Sequence, residues 1–301
     1  MRVTVTGATG LLGPRLVAAL QQRGAEVTVL SRDPDRARER LGDVQAVGWE
    51  LIGEAAPAEA LTGRDAVFHL AGEPVAQRWS AQAKRTIRES RVLGTSNLLE
   101  GIGAASEPPA VLVSSSAIGY YGAHGEEPLD EDAPPAGDFL AQVCVEWEAE
   151  AERAAELGAR VVLVRTGVVL DASGGALAKM LRPFRLGLGG PVAGGGQYVS
   201  WIHTEDLVGL MLAAMDDERW SGPINATAPE PVTNAELSSE LGRVLGRPVF
   251  LPVPGLALRM LYGEMAEIVT TGARVVPAKP LVLGYDFLHP RLPEALRSAI
   301  G

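Results

Sequence analysis

A glycine-rich turn near the N-terminus restricts the possible folds more than any other part of the sequence. It reads Thr6-Gly7-Ala8-Thr9-Gly10-Leu11-Leu12-Gly13, follows a β-branched run at residues 2–6 and opens an amphipathic segment. In such a unit the first glycine permits a tight turn, the second admits a pyrophosphate, and the third lets helix and strand pack closely. The helix N-terminus offers free N–H groups to phosphates. The residues predicted to contact a dinucleotide are Gly7, Thr9, Gly10, Leu11, Leu12 and Gly13.

Short apolar runs and amphipathic segments alternate through the first half of the chain. Further runs stand at residues 27–30, 44–47, 66–70, 110–113 and 160–164, and helical patterns cover residues 11–23, 81–102 and 139–157. The runs are continuous rather than alternating, which is typical of parallel strands buried on both faces. This order predicts an α/β protein with a Rossmann-type doubly wound parallel sheet and a smaller C-terminal substrate lobe.

The pattern changes after about residue 170. Glycines crowd residues 174–196, prolines recur over residues 223–254, and helical patterns return at residues 204–215, 234–245 and 292–300. We therefore expect a cofactor-binding Rossmann domain over residues 1–170, with parts of 190–230 completing its sheet. A mixed substrate lobe is expected over residues 171–301.

Composition excludes several classes of protein. The formal charge of −10 argues against a nucleic-acid-binding face. The single cysteine, Cys144, excludes an internal disulfide, and four scattered histidines show no metal-ligand spacing, so no metal is expected. No apolar run reaches the ~18 residues that a membrane helix needs, and the N-terminus enters a strand directly. We expect a cytoplasmic protein that binds a small-molecule substrate, without nucleic acid or membrane partners.

The residues after the second strand bear on the choice of nicotinamide cofactor. An acidic residue there is typical of NAD sites, where it binds the ribose 2′-hydroxyl. Here Ser31 and Arg32 follow the strand, and a guanidinium suits a 2′-phosphate. We therefore predict NADP(H) over NAD(H), with Asp33 left as an alternative ribose partner. The small residues expected against the adenosine side are Leu70, Ala71 and Gly72.

Several motifs stand in an order that resembles the extended short-chain dehydrogenases/reductases. They are the glycine turn, Leu70-Ala71-Gly72 after the fourth strand and Ser114-Ser115-Ser116 after the fifth. Residues 90–95, 116–122, 139–148 and 200–206 narrow the resemblance to one atypical subfamily of the NAD-dependent epimerase/dehydratase family, labelled sugar-nucleotide epimerase or SulA-like cell-division inhibitor. Residues 263–266 and 287–300 resemble its C-terminal domain of unknown function, which we expect over residues 250–301.

The resemblance implies a catalytic set of Ser, Tyr and Lys, in which a lysine four residues after the tyrosine lowers the tyrosine pKa. The chain has only three lysines, Lys84, Lys179 and Lys279, and none stands four residues after a tyrosine. On the expected helix the matching pair is Cys144 and Glu148. A glutamate there would raise, not lower, the pKa of a neighbouring acid.

The remaining catalytic candidates are therefore Ser116, Tyr120, Tyr121 and Cys144. Ser116 corresponds to the serine that the resemblance places at the substrate oxygen, with a turn cap as the structural alternative. The tyrosines and the cysteine are alternatively packed side chains.

Other polar residues complete the predicted site. Ser114 and Arg165 are expected at the cofactor, with a strand-end salt bridge as the alternative for Arg165. Thr204 is expected to cap the helix that it begins. The candidate substrate-binding residues are Arg91, Glu148, Gln197 and His203.

Three functions remain open. One is an NADP(H)-dependent oxidoreductase or epimerase that acts on a small hydroxylated or carbonyl substrate, such as a sugar nucleotide. Another is a non-catalytic NADP(H)-binding sensor or assembly factor that lacks the lysine. The third function, a cell-division regulator, rests only on the SulA-like name of the subfamily that the chain resembles. The helices at residues 81–102 and 139–157 would allow a homodimer about a two-fold axis.

Overall fold

A computed structural model describes residues 1 to 301. The strands are β1 (Arg2–Thr6), β2 (Glu26–Ser31), β3 (Gln45–Gly48), β4 (Ala66–His69), β5 (Val111–Ala117), β6 (Pro128–Leu129), β7 (Arg160–Thr166), β8 (Val168–Leu170), β9 (Tyr198–Val199), β10 (Trp201–His203), β11 (Gly222–Ala226), β12 (Val232–Thr233) and β13 (Arg274–Val275). The helices are α1 (Gly13–Gln22), α2 (Pro34–Leu41), α3 (Ala81–Ala104), α4 (Phe139–Glu152), α5 (Gly175–Arg185), α6 (Thr204–Asp216), α7 (Asn234–Leu245), α8 (Gly255–Tyr262), α9 (Glu267–Thr270), α10 (Ala278–Val282) and α11 (Leu292–Ile300). None of these helices combines the length and the apolar character needed to cross a membrane.

Seven strands form the central sheet in the order β11-β7-β5-β4-β1-β2-β3, and every pairing is parallel. The direction of winding reverses between β1 and β4, because β2 and β3 lie on one side of β1 and the later strands on the other. The predicted Rossmann-type doubly wound sheet is confirmed. Sheets of this kind bind ligands at the carboxyl ends of the strands beside the reversal.

Apolar side chains cover both faces of this sheet. On one face, Leu16 of α1 and Leu210 of α6 pack in the same buried cluster as Val113 of β5. On the other face, Leu98 of α3 packs in a cluster with Leu112 of β5. Because side chains alternate along a strand, this arrangement fixes which polar residues of β5 and β7 face α4.

Two strands continue further than their apolar runs predict. The runs alone place Ser114, Ser115 and Ser116 after the fifth strand and Arg165 after the sixth. In the structure all four residues lie inside β5 and β7, which pair in register from Val111 to Ala117. Pairing with a neighbouring strand outweighs the weak strand preference of serine.

The seventh strand, β11, lies at the edge of the sheet next to β7. It contains Pro223, which has no N–H to donate to a ladder and is therefore tolerated at an edge. Its Asn225 pairs in register with Arg165 of β7, so this edge strand reaches the candidate site.

A smaller unit follows the Rossmann sheet. Its core combines Leu181 of α5, Leu237 of α7 and Leu296 of α11. The C-terminal segment returns to the first half of the chain through β13, which pairs with β6 in parallel. The last quarter of the chain therefore lies against the loop that follows β5.

Gly101 allows α3 to approach the backbone at Ala56. A Cβ at Gly101 would overlap the Ala56 carbonyl oxygen, whereas a Cβ at Gly103 on the same helix would meet Leu157 at an ordinary 3.7 Å. We expect Gly101→Ala to lower the free energy of unfolding by about 1–3 kcal/mol through overpacking. Gly103→Ala should leave it unchanged or raise it by up to about 1 kcal/mol, because alanine favours helix. Urea denaturation distinguishes the two variants, and equal effects would refute the close approach.

Candidate active site

The glycine turn forms a cradle beside the end of β4. Gly7 has a φ of +67°, and a Cβ there would lie 2.7 Å from both the Leu70 carbonyl carbon and the Ala71 nitrogen. The Gly10 N–H donates to the Gly7 carbonyl oxygen at 2.9 Å. No side chain caps the N-terminus of α1, whose N-cap residue is Leu12. The turn therefore has the close backbone approach and the uncapped helix end that a pyrophosphate needs.

The side chains after β2 differ in the hydrogen bonds that they make within the protein. Asp33 is the N-cap of α2, and its Oδ1 accepts the Arg36 N–H at 3.0 Å. The Ser31 hydroxyl forms hydrogen bonds with the Asp33 backbone. Arg32 is exposed, and no protein group accepts from its guanidinium. One carboxylate oxygen of Asp33 thus caps α2, and the Arg32 guanidinium has no acceptor within the protein.

His69 is a buried structural link between the cofactor turn and α3. Its ring lies 2.7 Å from Thr6 Oγ1 and 3.1 Å from Thr95 Oγ1. Burial lowers the His69 pKa to about 4, so the ring is neutral at physiological pH. Thr6 Oγ1 also accepts the Ala71 N–H at 3.3 Å, which fixes the end of β4 against the turn.

Three polar residues form one row across the sheet at its carboxyl edge. Ser116 of β5 pairs in register with Arg165 of β7, which pairs with Asn225 of β11. All three are buried. The strand alternation that places Leu112 on the α4 side also places Ser116 there.

Glu148 of α4 contacts Ser116 and Arg165 of this row and forms a buried ion pair with Arg165. Its Oε1 accepts the Ser116 hydroxyl at 2.5 Å and the Arg165 Nε–H at 2.9 Å, and its Oε2 accepts from Arg165 Nη2 at 2.8 Å. The Glu148 and Arg165 side chains are 8% and 4% exposed, so solvent contributes almost nothing to their stabilisation. The sequence resemblance matches Glu148 to the lysine of the general family. On that match, a carboxylate paired with the arginine of a neighbouring strand stands where the family has its lysine.

Four of the five N–H groups of Arg165 donate to protein acceptors in this arrangement. Its remaining nitrogen, Nη1, donates to the Tyr121 hydroxyl at 2.9 Å and to the Glu131 carbonyl oxygen at 3.0 Å. The salt bridge that the sequence left as the alternative is present, within the strand rather than after it, and the cofactor contact of Arg165 stays a prediction.

The two tyrosines differ in their environments. Tyr121 is fully buried, and its hydroxyl donates to Asn225 Oδ1 at 2.7 Å. Burial raises the Tyr121 pKa to about 12, although Arg165 opposes the shift. Tyr120 is only partly buried, and its ring stacks on the Arg165 guanidinium at 3.6 Å. The structure therefore does not support Tyr121 as an acid/base at neutral pH, and it leaves Tyr120 as the accessible phenol.

Cys144 occupies the helix position of the family tyrosine but is a buried thiol. Its Sγ lies 3.7 Å from the Ala117 carbonyl oxygen. Burial raises its pKa to about 12, and the negative charge of Glu148 acts in the same direction. The thiolate is therefore disfavoured, so the structure gives Cys144 a packing role.

The other predicted residues are distributed around this centre. Ser114 is buried in β5, in register with His69. Arg91 of α3 lies beside Gly72, whose added Cβ would be 3.4 Å from the Arg91 Cζ. Gln197 is further away and donates to the carbonyl oxygens of Val192 and Val269. The side-chain amide of Gln197 therefore holds the second lobe together.

His203 caps α6, and the prediction that Thr204 does so is wrong. The His203 Nδ1 accepts the Glu205 N–H at 3.2 Å. Thr204 instead donates to the Leu170 carbonyl oxygen at 3.1 Å, because β8 lies alongside. His203 also stacks on His289 with ring centroids 3.8 Å apart. Its contacts are thus structural, and burial lowers its pKa to about 4.

Sequence reasoning missed Glu131 and Asn225. The buried Glu131 carboxylate accepts the backbone N–H groups of Asn225 and Lys279, at 2.9 and 3.0 Å. It thereby joins β11 and the C-terminal segment to the loop after β5. Neither residue belongs to a motif, and only the register of the edge strand reveals them.

The doubly wound sheet, the glycine turn at its reversal and the free guanidinium after β2 define a dinucleotide-binding protein of the short-chain dehydrogenase/reductase type. The chain belongs to the NAD dependent epimerase/dehydratase family, whose model matches residues 3–225. A second model, a domain of unknown function (DUF1731), matches residues 253–299. Both matches confirm the family resemblance.

Similar proteins span essentially the whole chain. The chloroplastic epimerase family protein SDR39U1 homolog of Arabidopsis thaliana is 41% identical over 300 residues, which are 99% of this chain and 86% of that protein. The crystal structure of human epimerase family protein SDR39U1 (isoform 2) with NADPH has a TM-score of 0.89 and 36% identity, with 100% of both chains covered. A nucleoside-diphosphate sugar epimerase from Corynebacterium glutamicum has a TM-score of 0.80 and 33% identity, over 100% of this chain and 58% of that one.

Proposed function

We propose that this protein binds NADP(H) and catalyses hydride transfer between the nicotinamide and a small hydroxylated or carbonyl substrate. The observation that carries the proposal is the hydrogen bond of Ser116 to the Arg165-paired Glu148, at the carboxyl end of β5. Residues 1–170 with β11 would form the cofactor domain, and residues 171–301 the substrate lobe. A sugar nucleotide is one substrate that carries the required hydroxyl groups.

The chain's own residues fit NADP(H). The cradle at Gly7 excludes a side chain, the N-terminus of α1 is uncapped, and Arg32 has no protein partner. Asp33, which would suit NAD(H), is used as a helix cap. The similarity to the human protein crystallised with NADPH supports the same choice.

Ser116 and Glu148 would move the proton that accompanies the hydride. Bound NADP(H) would supply or accept the hydride itself. During oxidation of an alcohol, Ser116 Oγ would accept the substrate hydroxyl proton while it passes its own proton to Glu148 Oε1 at 2.5 Å. Reduction would reverse both transfers. Arg165 balances the negative charge of Glu148 between turnovers, since a buried carboxylate needs a partner.

A second candidate function is a non-catalytic NADP(H)-binding sensor or assembly factor. One observation favours it: the Ser116 hydroxyl donates inward to Glu148, and the Tyr121 hydroxyl donates to Asn225. Both protons are directed at protein acceptors.

We also propose a cytoplasmic location and a homodimer. In that dimer α3 and α4 would pair about a two-fold axis, since Leu93 and Val145 are exposed apolar side chains on these helices.

NADPH labelled at nicotinamide C4 tests the catalytic proposal. The protein is incubated with a panel of carbonyl compounds and sugar nucleotides, and product is examined for label. We expect label from one of the two C4 positions only, because a fixed site presents one face of the ring. Tight NADPH binding without transfer across the panel would contradict the enzyme proposal and support the sensor.

A further inference from the structure

Arg91 is a partly buried cation without an acidic partner. It lies on α3 and faces Gly72 at the end of β4. Its Nη1 donates to the carbonyl oxygens of Glu73 and Ile87, at 3.1 and 3.0 Å. Its Nε and Nη2 have no protein acceptor. No carboxylate oxygen lies within 4.0 Å of an Arg91 nitrogen, the limit for an ion pair.

This arrangement is energetically unusual for an arginine. Burial lowers the Arg91 pKa, which means that the surroundings disfavour the charge. Buried charges in proteins are normally paired, and Arg165 shows that this fold can provide such a pair. Arg91 lacks an anion of this kind within ion-pair distance, which points to a partner that is not part of the protein.

Trp147 provides a second donor without an acceptor. Its indole Nε1 is buried and has no hydrogen-bond partner. The Arg91 Cζ lies 5.1 Å from the centroid of the Trp147 ring, so both donors belong to one cluster. A buried N–H without an acceptor is uncommon in proteins and calls for an explanation.

The cluster adjoins the proposed reaction centre. Cys144 stands one helical turn before Trp147, and its thiol contacts the Ala117 carbonyl oxygen, one residue after Ser116. Among the charged groups near Arg91, Glu73 is the acidic one, and it does not form an ion pair with it. The free guanidinium edge is thus next to the end of β5, separate from Arg32.

We propose that Arg91, with the Trp147 indole N–H, forms a subsite for a carboxylate or phosphate group of the substrate. Guanidinium groups bind both anions through paired, charge-assisted hydrogen bonds. The inference rests on the proposed hydride-transfer function and restricts its substrates to anionic hydroxyl or carbonyl compounds.

Anion binding to the NADPH-saturated protein tests the subsite without knowledge of the substrate. Saturation fills the 2′-phosphate and pyrophosphate sites, so titration with inorganic phosphate or with acetate reports the remaining anion sites. Calorimetry gives the Kd, and the fluorine signal of 5-fluorotryptophan at position 147 reports where the anion binds. Comparison of inorganic phosphate with acetate distinguishes a phosphate site from a carboxylate site.

The variants are Arg91→Met, Arg91→Lys and the control Arg88→Met. Arg88 lies one turn earlier on α3 and pairs with Glu146 at the surface. We expect the unaltered protein and Arg88→Met to bind one of the anions equally, and Arg91→Met to bind it about tenfold more weakly or worse. Arg91→Lys should fall between them, because it keeps the charge and loses the paired geometry. The position-147 signal should shift only in proteins that bind.

Two results would overturn the subsite. One is equal anion affinity, or none at all, in the unaltered protein and Arg91→Met. The other is a loss of NADPH affinity in Arg91→Met, which would assign the guanidinium to the cofactor. Failure of the hydride-transfer function is distinguishable, because it would appear as absent label transfer while anion binding and its dependence on Arg91 remain.

Discussion

Glu148→Ala is expected to lower the free energy of unfolding by about 3–5 kcal/mol, because it leaves the buried Arg165 charge without its partner. The side chains of the pair are 8% and 4% exposed, so water cannot replace the lost carboxylate. Ser116 would also lose the acceptor that it shares with Arg165. Urea denaturation followed by circular dichroism measures the effect.

Two further variants separate the charge effect from the loss of packing. Glu146→Ala, on the same helix, removes a surface pair with Arg88 and should cost about 0–1 kcal/mol. The double variant Glu148→Leu/Arg165→Met should be more stable than Glu148→Ala, since it removes both charges and keeps the volume. If Glu148→Ala were no more destabilising than Glu146→Ala, the buried pair would not have the importance assigned to it.

Arg32→Ala should weaken NADPH binding by about 10- to 100-fold and leave NADH binding unchanged. The variant would lose the charge-assisted hydrogen bonds from the guanidinium to the 2′-phosphate, which contribute about 1.5–3 kcal/mol to NADPH binding. A ribose 2′-hydroxyl carries no charge, so NADH binding does not depend on the Arg32 guanidinium in this way. Fluorescence titration with each cofactor measures both affinities.

Arg40→Ala is the matched control for Arg32→Ala. Arg40 is an exposed arginine of α2 that also lacks a protein partner, so its loss changes the net charge equally. We expect it to preserve the preference for NADPH. Equal affinities of the unaltered protein for NADPH and NADH would contradict the assignment of Arg32.

The sequence predicts the fold well because the relevant information is local. The glycine turn, the apolar strands and the helical patterns each lie within a few residues, and the doubly wound sheet follows from their order. Pro223 conceals the edge strand β11, because the glycine–proline pair at residues 222–223 indicates a turn when the neighbouring strand is unknown.

The candidate site is less predictable because its contacts depend on register and on helix docking. The absence of a Tyr-x-x-x-Lys pair and the match of Cys144 and Glu148 to it are visible in the sequence, but the partners of Glu148 are not. Ser116, Glu148 and Arg165 lie on three different elements, and only the β5–β7 register and the placement of α4 bring them together. His203 and His289 meet in the same way, through the return of the C-terminal segment to α6.

Hydride transfer from C4-labelled NADPH, compared between the unaltered protein, Ser116→Ala and Ser115→Ala, tests the catalytic role of this site most directly. Ser115 precedes Ser116 in β5 and points to the opposite face of the sheet. We predict stereospecific transfer by the unaltered protein and by Ser115→Ala, and a rate about 10²- to 10⁴-fold lower for Ser116→Ala. Equal rates for Ser116→Ala and the unaltered protein, or no transfer to any substrate despite tight NADPH binding, would contradict a proton-transferring Ser116–Glu148 pair.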